Sequence, residues 1–218
     1  MKQICKLVVM LLLTFTAGVQ AQLVTYPESL NPGIPHNDDY TVRVRIPGGE
    51  WKDLFEYNVQ VDMDNVQKAS MVQFDMGSVV EVMVKKNNGS VREVTIRPLS
   101  KGIEYKQVQN AILFTLEKPQ YLSIEFDGDR LHNLHLFANP LETEKYDKEA
   151  KGIMYFSPGV HRPKDLPNNQ IRIPGNTIVY LAPGAVVKAK LLVDKAENVR
   201  IIGRGILDHP IRGIEATD

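Results

Sequence analysis

The sequence predicts an all-β protein in two parts, an antiparallel β-sandwich followed by the first rungs of a right-handed parallel β-helix. Three observations predict it. Short runs alternate polar and apolar residues with period two between Thr41 and Phe126, the pattern of half-buried strands. No stretch there sustains a helical period. Beyond residue 150 a short motif recurs: Tyr155-Phe-Ser-Pro-Gly159 returns as Tyr180-Leu-Ala-Pro-Gly184, twenty-five positions later.

Residues 1–21 stand outside this fold and read as a signal peptide. Lys2 and Lys6 make a positive start, Leu7 to Phe15 a short apolar run, and Val19-Gln20-Ala21 a cleavage signal before Gln22. The run is shorter than the ~20 residues a membrane span needs, so the protein is expected to be exported, with no span once the leader is removed. Cys5 is the only cysteine and lies in that leader, ahead of the apolar run. The mature part therefore has no disulfide, thiol nucleophile or thiolate metal site. Without Lys2 and Lys6, 24 basic side chains face 26 acidic ones, a formal charge of −2. That balance offers no concentrated basic surface for nucleic acid or an anionic membrane.

The elements follow in order. Pro27, Pro32, Gly33 and Pro35 mark an irregular lead-in. Strands are predicted over Thr41–Ile46, Tyr57–Met63, Ser78–Lys85, Val91–Arg97, Ala111–Leu116, Tyr121–Phe126 and Leu134–Phe137. Lys86-Asn-Asn-Gly-Ser90 is read as a hairpin turn, because Asn and Gly accept positive φ. Asp127-Gly-Asp129 is read as another turn. The sandwich is placed over residues 22–145. Its end falls in the charged stretch from Glu142 to Lys151, read as a linker or helical turn.

Residues 146–218 are read as the start of the β-helix. In a third unit, Asn198-Val-Arg-Ile-Ile-Gly-Arg-Gly-Ile-Leu-Asp208, Gly205 falls twenty-one positions after Gly184. Apolar runs punctuated by glycine at a period in the twenties mark a solenoid. The β-branched content (Ile178, Val179, Val186, Val187, Val193, Val199, Ile201, Ile202, Ile206) selects strands. Gly203 and Gly205 are read as corners between the sheets of one rung.

These residues resemble a known family. Gly152-Ile-Met-Tyr-Phe-Ser-Pro-Gly-Val-His161, Thr177-Ile-Val-Tyr-Leu-Ala-Pro-Gly-Ala-Val-Val-Lys188 and Asn198 to Asp208 look like the entry to a pectin-lyase-like β-helix. The likeness is to glycoside hydrolase family 28 (polygalacturonases) and family 49 (dextranases). Pro119 to Asp129 and Leu134 to Pro140 resemble the last strands of the sandwich that precedes the helix in Bacteroidetes members. The resemblance implies an exported enzyme that degrades polysaccharide or oligosaccharide substrates without a cofactor. Members carry an Asn-x-Asp, an Asp-Asp pair and a Gly-His-Gly on central rungs. The rung region here contains none of these, so the sequence assigns no catalytic residue, and the chain by itself is expected to be inactive. A lyase on the same helix, and an exported glycan-binding or scaffold protein without catalysis, are the rival readings.

Other constellations have simpler explanations. Glycoside hydrolysis needs two carboxyl groups flanking the scissile bond. Asp194 and Asp208, near rung ends, are the only pair to check, and turn roles suffice for both. Asp62, Asp64 and Asp75 lack the spacing of an EF-hand and read as the solvated face of a strand and its following turn. His36, His132, His135, His161 and His209 form no metal-binding motif. Gly203-Arg-Gly205 lacks the third glycine and the helix of a phosphate loop. Trp51, Phe55 and Tyr57 are read as core aromatics before a sugar-stacking surface.

Overall fold

The computed structural model describes residues 22–26, 33–62, 64–162, 167–208 and 214–217. The expected signal peptide over residues 1–21, Pro27, Pro32 and His209 lie outside the described residues. The chain is all-β, as expected. Among the described residues its only helical pieces are single 3-10 turns at Leu99–Lys101 and Pro167–Asn169, so no helix is long and apolar enough to cross a membrane.

Eleven strands precede residue 141: β1 (Leu23–Thr25), β2 (Tyr40–Arg45), β3 (Lys52–Asp53), β4 (Tyr57–Val61), β5 (Gln67–Met76), β6 (Val80–Lys86), β7 (Val94–Arg97), β8 (Tyr105–Val108), β9 (Ala111–Leu116), β10 (Gln120–Phe126) and β11 (Leu134–Pro140). They form two sheets. One runs β1-β5-β11-β10-β7 with β4 also on β5, and the other runs β3-β2-β6-β9-β8. Alternation makes the core. Val80, Val82 and Val84 of β6 and Ile112, Phe114 and Leu116 of β9 share one apolar cluster with Val72 and Phe74 of β5 and Ile124 and Phe126 of β10. Most are fully buried, each contributing about 1.5–3 kcal/mol of transfer free energy.

Two expectations are corrected. The turn at Lys86–Ser90 does not close a hairpin: β6 pairs with β2 and β9, whereas β7 pairs with β10 in the other sheet. Gly89 has the positive φ foreseen (74°), but the chain crosses between sheets because Val84 and Val94 enter the same core from opposite layers. Nor is the pairing wholly antiparallel. The ten-residue β5, absent from the sequence reading, runs parallel to β11 from Ser70↔Leu134 to Met76↔Pro140. Residues 141–152 form an irregular segment ending in turns, with no helix.

The rest of the chain winds through three parallel sheets in turn. The first turn supplies β12 (Ile153–Phe156), β13 (Gly159–His161) and β14 (Gln170–Arg172). The second supplies β15 (Ile178–Leu181), β16 (Ala185–Val187) and β17 (Lys190–Asp194). The third supplies β18 (Arg200–Gly203), β19 (Ile206–Leu207) and β20 (Ile214–Thr217). Each strand pairs in parallel with its counterpart one turn away, in the orders β12-β15-β18, β13-β16-β19 and β14-β17-β20. Ile173, Val179, Leu181, Ala185, Val187, Ala189 and Leu191 fill the interior. Outside it, Tyr155 stacks on Tyr180 at 5.2 Å between ring centres.

The turns are unequal in length. Ile153 pairs with Ile178, twenty-five residues on, but Gln170 pairs with Lys190, only twenty on. Gly159 pairs with Ala185, not with Gly184 as the motif alignment suggests, because the second corner is one residue longer. At the third corner Gly203 has φ 124°, and a Cβ there would lie 2.0 Å from the carbonyl oxygen of Leu181. Only glycine lets this turn sit on the one before it.

Candidate functional site

The coil meets the outer face of the first sheet. Because side chains alternate along a strand, the residues of β5 that do not enter the core, Gln73 and Asp75, point toward the coil's third corner. Arg204 there donates from Nε to Asp75 Oδ1 at 2.6 Å and from a terminal nitrogen to the carbonyl of Pro140 at 2.7 Å. It also lies 3.6 Å from Glu142. Gln73 donates to the carbonyl of Arg204 at 2.8 Å. Burial would lower the Arg204 pKa, but the hydrogen bond and charge of Asp75 override it, and the pKa is raised.

Two tyrosines complete this knot. Tyr26 is pushed above its ordinary pKa by burial and then by Asp75. Tyr180 donates to Glu142 at 2.8 Å, and burial followed by that bond raises its pKa. Tyr146 stacks on Tyr180 at 4.7 Å. Both hydroxyls are held protonated, which suits a structural joint and not a nucleophile.

Beside the knot lies a cleft of about 540 Å³, lined by Asn58, Gln60 and Lys68 from the first sheet and by Asn169, Lys188 and Asp208 from the coil. Pro35, Val59, Ile206 and Leu207 add apolar walls. Lys188 Nζ donates to Asp208 Oδ2, and Asn169 donates to the Lys188 carbonyl at 3.0 Å. The Asn58 backbone N–H is bonded to Pro35, while its side-chain Oδ1 is buried without a hydrogen-bond partner. The cleft thus offers amide donors and acceptors, an ammonium group and apolar surface, a combination suited to a polyhydroxylated ligand. It contains one carboxylate, already ion-paired, and so lacks the two that acid–base cleavage of a glycoside requires.

The residues singled out in the sequence are dispersed. Asp194 is on the third sheet of the coil, with Arg172 at 2.5 Å. Asp208 follows β19 of the second sheet, against Lys188. They do not face one another as a catalytic pair. Asp62, at φ 55°, accepts from the backbone N–H of Asn65, and Asp64 is exposed. Asp75 is a correction. It is 2% exposed, not solvated, and lies toward the far end of β5 from Asp62, roughly 26 Å from Gln67 over eight residue steps of about 3.3 Å each. Among the described residues no group of three or more His, Cys, Asp or Glu side chains is arranged to hold a metal ion.

His161 Nε2 lies 2.6 Å from the Ser157 carbonyl, a backbone oxygen to which the ring can only donate. His132 pairs with Asp129 at 2.9 Å. His36 is more constrained than its sequence context indicates. Its Nδ1 is 2.8 Å from Asp38, and its Nε2 is 3.1 Å from the buried Glu56, twenty residues away. Phe55 and Tyr57 are buried edge to face at 4.9 Å, and Trp51 lies under Arg45 at 4.3 Å. None of the three forms an open stacking surface. Among the described residues the most exposed aromatic is Tyr121, beside Phe137, which the sequence reading absorbed into strands.

The stacked parallel turns define the class: an all-β chain whose second part is a parallel β-helix. A solved structure that shares it is Dex49A from Penicillium minioluteum, with a TM-score of 0.62 over 84% of this chain at 20% identity. The match covers 47% of Dex49A, so this chain spans about half the length of that protein. At this identity the likeness is one of fold. No protein-family model and no curated protein matches the chain.

Proposed function

We propose that this chain is the N-terminal portion of an exported, polysaccharide-degrading glycoside hydrolase of the polygalacturonase and dextranase kind. In this reading residues 1–21 are a signal peptide that directs the protein to the periplasm or beyond. Residues 22–145 are a β-sandwich, and residues 146–218 are the opening turns of a right-handed parallel β-helix. The observation that carries the reading is the three-turn parallel coil against the first sheet, in a fold shared with Dex49A. The motifs from Gly152 to Asp208, similar to those of families 28 and 49, support the same class.

Hydrolysis then requires a carboxylic acid to protonate the leaving oxygen and a carboxylate to act as base or nucleophile. The three turns described offer no such pair, so the acid and base are assigned to aspartates on other turns of the coil, and this chain alone releases no sugar. Its own contribution is to hold the coil on the sandwich and to present the Asn58–Lys188 cleft. The amides and ammonium of that cleft also suit a second reading, glycan binding without catalysis.

The test is to sequence the DNA downstream of codon 218 and express the restored protein. Further turns with an Asn-x-Asp and an Asp-Asp pair, and new reducing ends from dextran or polygalacturonate, are the expected result. Unsaturated products would point instead to a lyase. Retention on a glycan gel without cleavage would favour the binding reading. The absence of all three would refute the hydrolase.

A further inference from the structure

One wall of the cleft is a strap, residues 33–39, that leads into β2. Its Ile34 and Pro35 line the cleft beside Asn58 and Val59 of β4. The Asn58 N–H donates to the Pro35 carbonyl at 2.9 Å, and the Asn37 N–H donates to the Glu56 carbonyl at 2.9 Å. Between those bonds His36 bridges to Tyr57, so the strap runs antiparallel along the outer edge of β4. At one end Gly33, with φ 83°, sits so close to the first turn of the coil that a Cβ would lie 2.8 Å from Val160 Cγ2. At the other end Asn37 is buried, and its side-chain amide donates to the Ala69 carbonyl at 3.4 Å. The strap thus spans from sandwich to coil, and the Asn58–Pro35 bond ties it to the rest of the cleft wall.

His36 holds the middle of the strap. Its Nδ1 faces Asp38 Oδ1 at 2.8 Å and its Nε2 faces Glu56 Oε2 at 3.1 Å. An ionised carboxylate only accepts, and a neutral imidazole carries a single N–H. Both contacts are therefore hydrogen bonds at once only when the ring carries two protons. Glu56 raises the stakes, because it is 5% exposed. Its other oxygen accepts from the Val42 N–H at 2.6 Å, and the cation paired with it is His36. Loss of the ring proton sets a lone pair against a carboxylate and leaves Glu56 buried without its counter-charge. Asp38 matters less, since its side chain is 92% exposed and solvent screens the pair. Glu56, from the segment before β4, and Asp38, from the strap itself, are the charges that act on the ring. Phe55 packs on it at 5.3 Å and is uncharged, while Lys68, Lys188 and Asp208 are the charges of the cleft.

We propose that residues 33–36 are a pH-operated wall of the cleft, fastened to β4 while His36 is an imidazolium between Glu56 and Asp38, and released as the ring loses its proton. Burial lowers the His36 pKa, but the hydrogen bonds and charges of Glu56 and Asp38 override it and leave it above 6.5. The fastening is therefore complete below 6.5 and is lost as pH rises through the folded-state value. Burial also raises the Glu56 pKa above 4.5, so protonation of Glu56 bounds the fastened window from below. A ligand seated against Ile34 and Pro35 is held in mild acid and freed toward alkaline pH. This wall acts whatever chemistry the coil supports, so it does not rest on the hydrolase reading.

Amide hydrogen exchange of the full chain, followed residue by residue by NMR, tests it. The reporter is the Asn58 N–H, whose acceptor is Pro35, and the references are the amides of Val82 and Val84 in β6. Rates are divided by the chemical exchange rate at each pH to give protection factors. Between about pH 6 and about pH 8.5, on either side of the histidine range, Asn58 protection should fall by about tenfold or more. That is the scale of one lost charge-assisted hydrogen bond, read through local opening. The β6 amides should keep their protection. His36→Gln, which has no ring charge to lose, should show the low Asn58 protection at both pH values. The proposal is overturned if Asn58 protection in the parent chain does not change with pH. It is equally overturned if the β6 amides lose protection in step, since the whole sandwich would then be responding. A His36→Gln chain that retains the parent's pH dependence would also overturn it, because another group would be responsible. If that variant does not fold, the parent chain's own two profiles decide.

Discussion

Replacing Arg204 with methionine keeps most of the side chain's bulk and removes its charge, which isolates the value of the joint. Asp75 is then left 2% exposed without the cation that lies 2.6 Å from it. Removing one partner of a buried pair costs about 3–5 kcal/mol, because the remaining charge is desolvated without compensation. For a chain of this size each kcal/mol lowers the melting temperature by about 2–4 °C. The variant should therefore melt roughly 6–20 °C below the parent when followed by circular dichroism at neutral pH. The double variant with Asp75→Leu should recover at least half of the loss. A single-variant loss under about 1 kcal/mol, the scale of surface pairs, would refute the reasoning, as would a double variant no more stable than the single one.

Gly203→Ala should destabilise by about 3 kcal/mol or more in urea titrations, since it combines a positive φ with a Cβ set against the Leu181 carbonyl. Gly89→Ala, with φ 74° and open space around its Cβ, should cost only about 1–2 kcal/mol. For His36, burial pulls the pKa down, but the hydrogen bonds and charges of Glu56 and Asp38 override it and leave it above 6.5. Its stabilisation is thus complete below pH 6.5 and is lost as pH rises through the folded-state value. Glu56→Gln should flatten that slope in a series of melting curves. Asp194→Asn should change stability by less than about 1 kcal/mol, because its partner Arg172 is 65% exposed and solvent screens the pair. It should also leave the cleavage rate of the restored enzyme unaltered.

The coil was legible because its constraint is local. Each turn must offer apolar, β-branched strands and a small residue at the corner, so Tyr155–Gly159 and Tyr180–Gly184 resemble each other wherever they sit. The alternating strands were legible for the same reason. β5 was not, because Ser70 and Asp75 are buried polar residues inside it, and a local pattern scores them as solvated. What buries Asp75 is Arg204, 129 residues later. The Asn-Asn-Gly turn has the same chemistry whether the chain returns beside itself or crosses to another sheet, so pairing could not be read from it. The cleft was hidden because Asn58, Lys68, Asn169 and Lys188 come from separate strands and turns. Tyr121 and Phe137 read as ordinary strand aromatics, since only the sheet register sets them beside Gln73 on one exposed row.

The distance in sequence between Asp75 and Arg204 also sets an order of assembly. The sheet containing β5 is complete once β11 has been made, but its buried carboxylate has no cation until the third corner arrives. Before then Asp75 must remain hydrated, so the face that later carries the coil cannot dry out early. Stacking of the third turn is therefore the event that locks the two parts together. A chain emerging from its N-terminus finishes its first sheet pair well before it commits to the joint, and the residues of the third corner decide when the surface closes.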